Sequence, residues 1–251
     1  MGVEYDGSSF HGWQRQKSGV ATVQELVEKA LSSVADHPVS VLCAGRTDTG
    51  VHGLGQVIHF DTAAVRSYRG WLLGTNVNLP SEINITWVKE VAESFHARFS
   101  ALNRRYRYII LNRSVRSAIW CKRTVWIHYP LDAERMHEAA QALVGTHDFS
   151  SYRALGCQAK SPVKSIIHLN VSRQEDRVII DVKANAFLHH MVRNLAGVLI
   201  AIGKGDRPLS WTEEVLGYRD RRLAGVTAPP EGLYLMEVGY PLEFGLTQKI
   251  V

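Results

Sequence analysis

Residues 43–52 read Cys43-Ala44-Gly45-Arg46-Thr47-Asp48-Thr49-Gly50-Val51-His52, one carboxylate beside an arginine on a glycine-flanked turn that follows a short apolar run. Upstream, Val39, Val41 and Cys43 alternate with Ser40, Leu42 and Ala44, which suits a strand, and Gln56 to Phe60 begins another. Asp48 therefore falls on a strand-to-strand loop. In an extended segment Arg46 and Asp48 point to one face, where a guanidinium can hold a carboxylate ionised. Gly45, Gly50, Gly53 and Gly55 let backbone or ligand approach where a Cβ would clash.

Three readings compete for this loop. The plainest is a structural turn with a surface ion pair. Against it, an apolar strand delivers the Asp, and charged, hydroxyl, glycine and histidine residues crowd into one short stretch. The second is an aspartic peptidase, whose Asp-Thr-Gly signature needs two carboxylates sharing a proton. The chain holds no second Asp-Thr-Gly or Asp-Ser-Gly. A symmetric dimer could supply one, yet Arg46 at the neighbouring same-face position would oppose proton sharing. The third makes Asp48 a lone nucleophile.

Outward from the loop, strands and helices alternate. Thr22-Val23-Gln24-Glu25 is a capping-box pattern, after which Val23, Leu26, Val27, Ala30, Leu31 and Val34 recur at helical spacing. Ile83 to Val91 and Arg104 to Leu111 read as strands. On the latter, Tyr106, Tyr108 and Ile110 share one face, with Arg105, Arg107 and Ile109 on the other. Tyr108 reads as core. Asp132 caps a helix whose Met136, Ala139, Ala140 and Leu143 share a face, with Gly145 as its stop. Lys164 to Ser172 and Arg177 to Lys183 form a hairpin around Gln174-Glu175-Asp176. A further helix covers Phe187 to Ile202, with Phe187, Met191, Leu195, Val198, Leu199 and Ile202 as its apolar stripe and Arg193 off it. Ser210 caps a last one. Strands joined by hairpins and carrying helices make an α+β architecture with a mainly antiparallel sheet, divided near residue 102 into 1–102 and 103–251.

With 251 residues and 45% hydrophobic content the chain is globular, and a net charge of +5 with a pI near 9.2 favours a polyanionic partner. Cys43, Cys121 and Cys157 are odd in number and form no C-x-x-C pair, which suggests neither a disulfide framework nor a zinc site. A reducing cytosol fits best, so a cytoplasmic location is expected. The longest apolar stretch, Ala196 to Ile202, is too short to span a membrane, and no signal peptide or myristoylation pattern is read at the N-terminus. Gly2-Val3-Glu4-Tyr5 reads as the end of a strand whose beginning is either missing or short. His52, His59, His189 and His190 show no ligand spacing, and no metal is expected. Gly50-x-x-Gly53-x-Gly55 does not match a nucleotide-binding fingerprint.

Gly-Arg-Thr-Asp-x-Gly-Val-His resembles the catalytic segment of the TruA-type tRNA pseudouridine synthases. Further segments agree in the same order: Glu4-Tyr5-Asp6-Gly7, Gly12-Trp13-Gln14-Arg15-Gln16, Phe95-His96-Ala97-Arg98-Phe99-Ser100, Arg104-Arg105-Tyr106-Arg107-Tyr108, and Lys183-Ala184-Asn185-Ala186-Phe187 running into His189-His190-Met191-Val192-Arg193-Asn194. The likeness spans nearly the whole chain.

The resemblance implies two related α/β halves whose sheets join around a basic cleft. It implies isomerisation of uridines 38, 39 and 40 of the tRNA anticodon stem-loop by Asp48 without a cofactor, in a homodimer. Tyr106 would stack on the target base, a contact worth about 1–3 kcal/mol. Arg193 would pair with the catalytic carboxylate, alongside Arg46. Phe95, His96, Ala97, Arg98 and Phe99, with the loop Gly156, Cys157, Gln158, Ala159 and Lys160, would touch tRNA, as would Arg46. A non-catalytic RNA-binding module using the same surface stands as the alternative.

Overall fold

In the computed structural model, which describes residues 1–246, the chain forms two compact units. The half expected over 103–251 therefore runs past the described residues. The first unit opens with β1 (Gly2–Tyr5), α1 (Val23–Ala35), β2 (Leu42–Cys43), β3 (His52–His59), α2 (Tyr68–Val77) and β4 (Ile83–Trp87). The second, Asn103–Leu233, contains β5 (Asn103–Asn112), β6 (Val125–Ile127), α3 (Ala133–Gln141), β7 (Gly145–Asp148), β8 (Val163–Gln174), β9 (Arg177–Ala184), α4 (Met191–Gly203) and α5 (Trp211–Tyr218). The chain then rejoins the first unit as β10 (Leu233–Gly239). The architecture is α+β and mainly antiparallel. Among the described residues no helix is long and apolar enough to cross a membrane.

In the first unit the strand order is β4-β1-β3-β10, with β2 paired to β3. β1 runs antiparallel to both neighbours, while β10 lies parallel to β3 with Tyr234 opposite His52. Val3, Tyr5, Trp13, Val27, Leu31, Ile58, Ile83 and Ile85 are buried in one core between sheet and helix. α1 follows the expected spacing, but its expected capping box is not formed. Val23 N–H donates to Gly12 O (3.3 Å) and Gln24 N–H to Trp13 O (2.9 Å), so backbone carbonyls cap the helix, and the buried Thr22 hydroxyl makes no cap bond. The strand expected over Val39–Ala44 shrinks to Leu42–Cys43. Val39 N–H goes to Ser32 Oγ (2.9 Å) and Val41 N–H to Glu28 Oε1 (3.0 Å), so α1 side chains take donors a ladder would need. β3 begins at His52 rather than Gln56, because Gly53 and Gly55 are strand positions that another group approaches closely. A Cβ there would meet the Tyr5 ring at 2.5 Å and Met236 O at 2.2 Å. β4 ends at Trp87, short of the expected Val91.

The second unit orders its strands β5-β9-β8-β7, with β6 parallel to β5. β8 and β9 form the expected hairpin, with Glu175 in left-handed conformation at its turn (φ 53°). Alternation along β5 holds: Tyr106, Tyr108 and Ile110 are buried, whereas Arg105 and Arg107 face the other way and bind Asp181. Tyr108 is fully buried and donates to Pro229 O (2.8 Å). Asp132 caps α3 through Glu134 and Arg135 N–H, both at 3.0 Å. That helix ends at Gln141, and Gly145 (φ 106°) opens β7 instead of closing the helix. α4 starts at Met191 rather than Phe187, since His190 adopts φ 59°, a conformation no helix can propagate. Ser210 precedes α5, but its hydroxyl donates to Glu214 Oε1 (2.7 Å) and makes no backbone cap.

Candidate active site

The Asp48 loop is held by backbone and side-chain groups of neighbouring segments. Trp13 N–H donates to Thr47 O (3.0 Å), and Thr47 Oγ1 lies 2.8 Å from Tyr5 Oη. Val51 N–H closes a turn onto Asp48 O (3.1 Å), with Gly50 at φ 76° inside it. Gln56, fully buried on β3, clamps the front of the loop: its Nε2 donates to Gly45 O (2.6 Å) and its Oε1 accepts from Gly45 N–H (3.3 Å) and Val57 N–H (3.2 Å). Gly12 (φ 86°) passes directly beneath, where a Cβ would stand 2.8 Å from Thr47 O. His52 at the far end is buried, receives Gly7 N–H at Nδ1 (3.1 Å) and stacks on Tyr234 at 4.5 Å.

Thr47 is buried, Asp48 half-buried and Arg46 exposed. Asp48 is thus neither sealed in nor fully exposed, on backbone that several independent contacts fix. Upstream of the loop, burial pushes the Cys43 thiol up to about 11 despite Arg46 and Arg98 acting in the opposite sense, which disfavours the thiolate. Sequence reading gave Tyr5, Gly12, Trp13 and Gln56 no role in this loop. The one local sign for Gln56 is an amide set against Val57 and Ile58 in a strand.

Within residues 95–100 the structure separates two kinds of residue. Phe95 and Ala97 are buried, Phe95 against Tyr240 (5.1 Å) and Phe244 (5.1 Å), so they hold the segment rather than present side chains. Ala97 N–H is anchored on His59 Nδ1 (3.2 Å). His96 Nδ1 accepts from the N–H groups of Arg98 (3.1 Å) and Phe99 (3.2 Å), and this turn leaves Phe99 76% exposed with the Arg98 guanidinium over its ring at 5.7 Å. An exposed aromatic under a cation has the chemistry to stack a planar ring and meet an anion. Burial lowers the pKa of His59, so its ring stays neutral and serves as an acceptor.

In the second unit Tyr106 is buried to 9% exposure and meets Phe187 edge-on at 5.0 Å. Arg193, half-buried on α4, donates from Nε to Ala228 O (2.8 Å). The 156–160 loop turns at Gly156 (φ 77°) and is braced by Arg153, whose Nη2 donates to Cys157 O and, at 2.9 Å, to Ala159 O. Gly156, Gln158 and Lys160 are exposed, whereas Arg153 is committed to the loop. Burial acts to raise the Cys157 thiol, but N–H groups of His189 and Ala159 and the Arg153 charge outweigh it and hold the pKa below its ordinary value. Sequence reading missed Asn194, Arg221 and Thr227, which bind one another through hydrogen bonds of 2.7–3.0 Å beside Arg193.

A family model described as tRNA pseudouridine synthase matches residues 1–100 and 139–241. Among curated relatives, tRNA pseudouridine synthase A of Pseudomonas aeruginosa is 56% identical over 249 residues, covering 99% of this chain and 87% of that one. The protein of the same name from Nitrosococcus oceani is 58% identical over 246 residues (98% and 95%), and that from Cronobacter sakazakii 54% identical over 246 (98% and 91%). A solved Cbf5-Nop10-Gar1 complex superposes with a TM-score of 0.36 at 13% identity, over 80% of this chain and 45% of that one, too distant to add to these matches.

Proposed function

The chain belongs to the tRNA pseudouridine synthase family and is an isomerase, and from that membership we propose that Asp48 is the carboxylate that carries the reaction. The observation behind this assignment is the half-buried position of Asp48 on a loop over-determined by Trp13, Tyr5, Gln56 and the glycines. Preorganisation of this kind holds the backbone that presents a reacting group.

Pseudouridine formation breaks the C–N glycosidic bond of a uridine, turns the freed uracil and joins its C5 to C1′ of the same ribose. Every atom of the product comes from the substrate, so the chemistry asks for no cofactor. It does require an ionised carboxylate that can attack C6 or C1′, or take the C2′ proton. The uridine must first leave its stem, at a cost of a few kcal/mol. Stacking on Tyr106 and phosphate contacts with basic side chains offset that cost. Arg193 supports the negative charge of Asp48. Arg46, exposed two residues earlier, adds to that support and meets a tRNA phosphate.

In this reading residues 1–102 supply the nucleophile and 103–251 the base-stacking ring and second arginine. The targets are uridines 38, 39 and 40 of the anticodon stem-loop, and the enzyme works in the cytoplasm as a homodimer. Phe99 and Arg98, with Gly156, Gln158 and Lys160, form the outer tRNA contacts, and Phe95, His96, Ala97, Cys157 and Ala159 shape the two segments that present them.

Asp48→Asn keeps the shape and removes the charge. It should bind tRNA with near-native affinity yet yield no pseudouridine when the anticodon stem-loop is mapped. A variant that still modified tRNA would end the nucleophile assignment. In the same assay Tyr106→Phe should retain much of the turnover and Tyr106→Leu little of it.

A further inference from the structure

We propose that Asn194, Arg221 and Thr227 are positioning residues for Arg193, acting by locking the coil that carries its backbone partner Ala228. The proposal deepens the function above and rests on Arg193 supporting the Asp48 charge.

Arg193 is tied to Ala228 twice: Ala228 N–H donates to Arg193 O (3.1 Å), and Arg193 Nε donates to Ala228 O (2.8 Å). Whatever fixes Ala228 therefore fixes the root and the bend of this guanidinium. Residues 225–229 have no regular secondary structure, so neither helix nor sheet hydrogen bonds hold them. Tyr108 donates to Pro229 O (2.8 Å) at one end, and three further side chains hold the rest. Arg221 Nη1 donates to Gly225 O (2.8 Å), and its Nη2 donates to Thr227 Oγ1 (2.7 Å) and Asn194 Oδ1 (3.0 Å). Thr227 Oγ1 in turn donates to Asn194 Oδ1 (2.7 Å). Asn194, 1% exposed, completes the chain by donating from Nδ2 to Tyr152 O (2.8 Å).

Two features show that the arrangement is directed at this coil. Asn194 directly follows Arg193 on α4, so the hub of the network and the side chain it serves share one turn of helix. Gly197, one turn further, lets the coil lie against the helix: a Cβ there would stand 1.8 Å from Val226 O. A guanidinium bridging a carbonyl, a hydroxyl and an amide is more than half-buried packing needs, since an apolar side chain would fill the same space without desolvating a charge. The hydrogen bonds make sense as a means of defining where Ala228 O points.

The test uses Thr227→Val, which keeps volume but removes the shared hydroxyl from a half-buried position. Displacement of a supporting group by about 1 Å can cost on the order of 100-fold in rate. For this indirect displacement we expect kcat to fall about tenfold, with the tRNA KM within about twofold of wild type and thermal melting confirming the fold. Thr227→Ser should recover most of the loss. In an Arg193→Gln background Thr227→Val should cost nothing further, because the group being aimed is gone. Arg221→Lys, which keeps the charge but replaces the two-nitrogen fork by a single ammonium, should repeat the pattern if the valine variant folds poorly. Wild-type kcat in folded Thr227→Val, or the same fractional loss with and without Arg193, would overturn the positioning role alone. Wild-type kcat in Arg193→Gln would instead remove the premise about Arg193, and the proposal with it.

Discussion

A methyl group added at Gly12 would stand 2.8 Å from Thr47 O and 3.2 Å from both Asp48 C and Thr49 N, at a φ of 86° that side chains rarely adopt. These atoms are backbone and cannot rotate aside, so Gly12→Ala must move the loop that carries the carboxylate. The left-handed conformation alone costs about 1–2 kcal/mol. We expect a lower melting temperature and a kcat reduced about tenfold or more, with tRNA KM little changed, in steady-state assays. Gly19 is the control: it has a similar φ of 72°, but nothing lies within 4 Å of its Cβ position. Gly19→Asn should fold and turn over like wild type. Equal kcat in the two variants would show that the loop tolerates displacement. At this scale the sequence was most readable where unlike chemistry crowds together, as around Asp48. It was least readable where a residue acts through its backbone, as Gly12 does, because nothing in its neighbours says what passes above it.

At the scale of elements, strand β5 shows both what alternation reveals and where it stops. The faces of Tyr106 and Arg105 follow from period two alone, but the partner of the arginines does not. It lies on β9, where Asp181 accepts from Arg105 Nε (2.7 Å) and Arg107 Nε (3.1 Å) and sits 2.9 Å from His168 Nε2 of β8. Burial acts to raise the Asp181 pKa, but bonds from Arg105, His168 and Arg107 outweigh it and bring it below the ordinary carboxylate range. A carboxylate with a depressed folded pKa contributes stability above its unfolded pKa and loses it as pH falls through the folded one. Asp181→Asn should therefore cost about 3 kcal/mol at pH 7, near the low end for a broken buried pair because the arginines reach solvent. In denaturant titrations the gap between variant and wild type should close as pH drops below the ordinary carboxylate range; an unchanged gap at acidic pH would contradict the linkage. Helices α1 and α3 were readable from spacing, and the β8–β9 hairpin from its polar turn. α2 was not, since Gly70 and Gly74 argue against a helix, although Ser67 Oγ caps it through Gly70 N–H (3.0 Å) and Trp71 is buried. The strand before Asp48 was overread because α1 side chains, invisible to strand periodicity, bind its backbone.

For the whole molecule, a charge of +5 sets an expectation about the partner. Each phosphate neutralised by a lysine or arginine releases a counterion, so tRNA affinity should fall steeply with salt. The tRNA KM should rise by at least about tenfold from 50 to 200 mM monovalent salt while kcat stays nearly constant. A flat KM would mean that basic groups do not track the backbone. The α+β class was legible from the order of elements, whereas the return of β10 to the first unit was not, because a parallel pairing between distant segments leaves no local trace. That return has a temporal corollary. Tyr234 and Leu235 pair with His52 and Gly53 at the edge of the Asp48 loop, and Met236 O closes over Gly55. While the chain emerges from the ribosome, the N-terminal portion carries the Asp48 loop on a sheet that still lacks β10. The strand that completes the far end of this loop is thus synthesised about 180 residues after the loop itself.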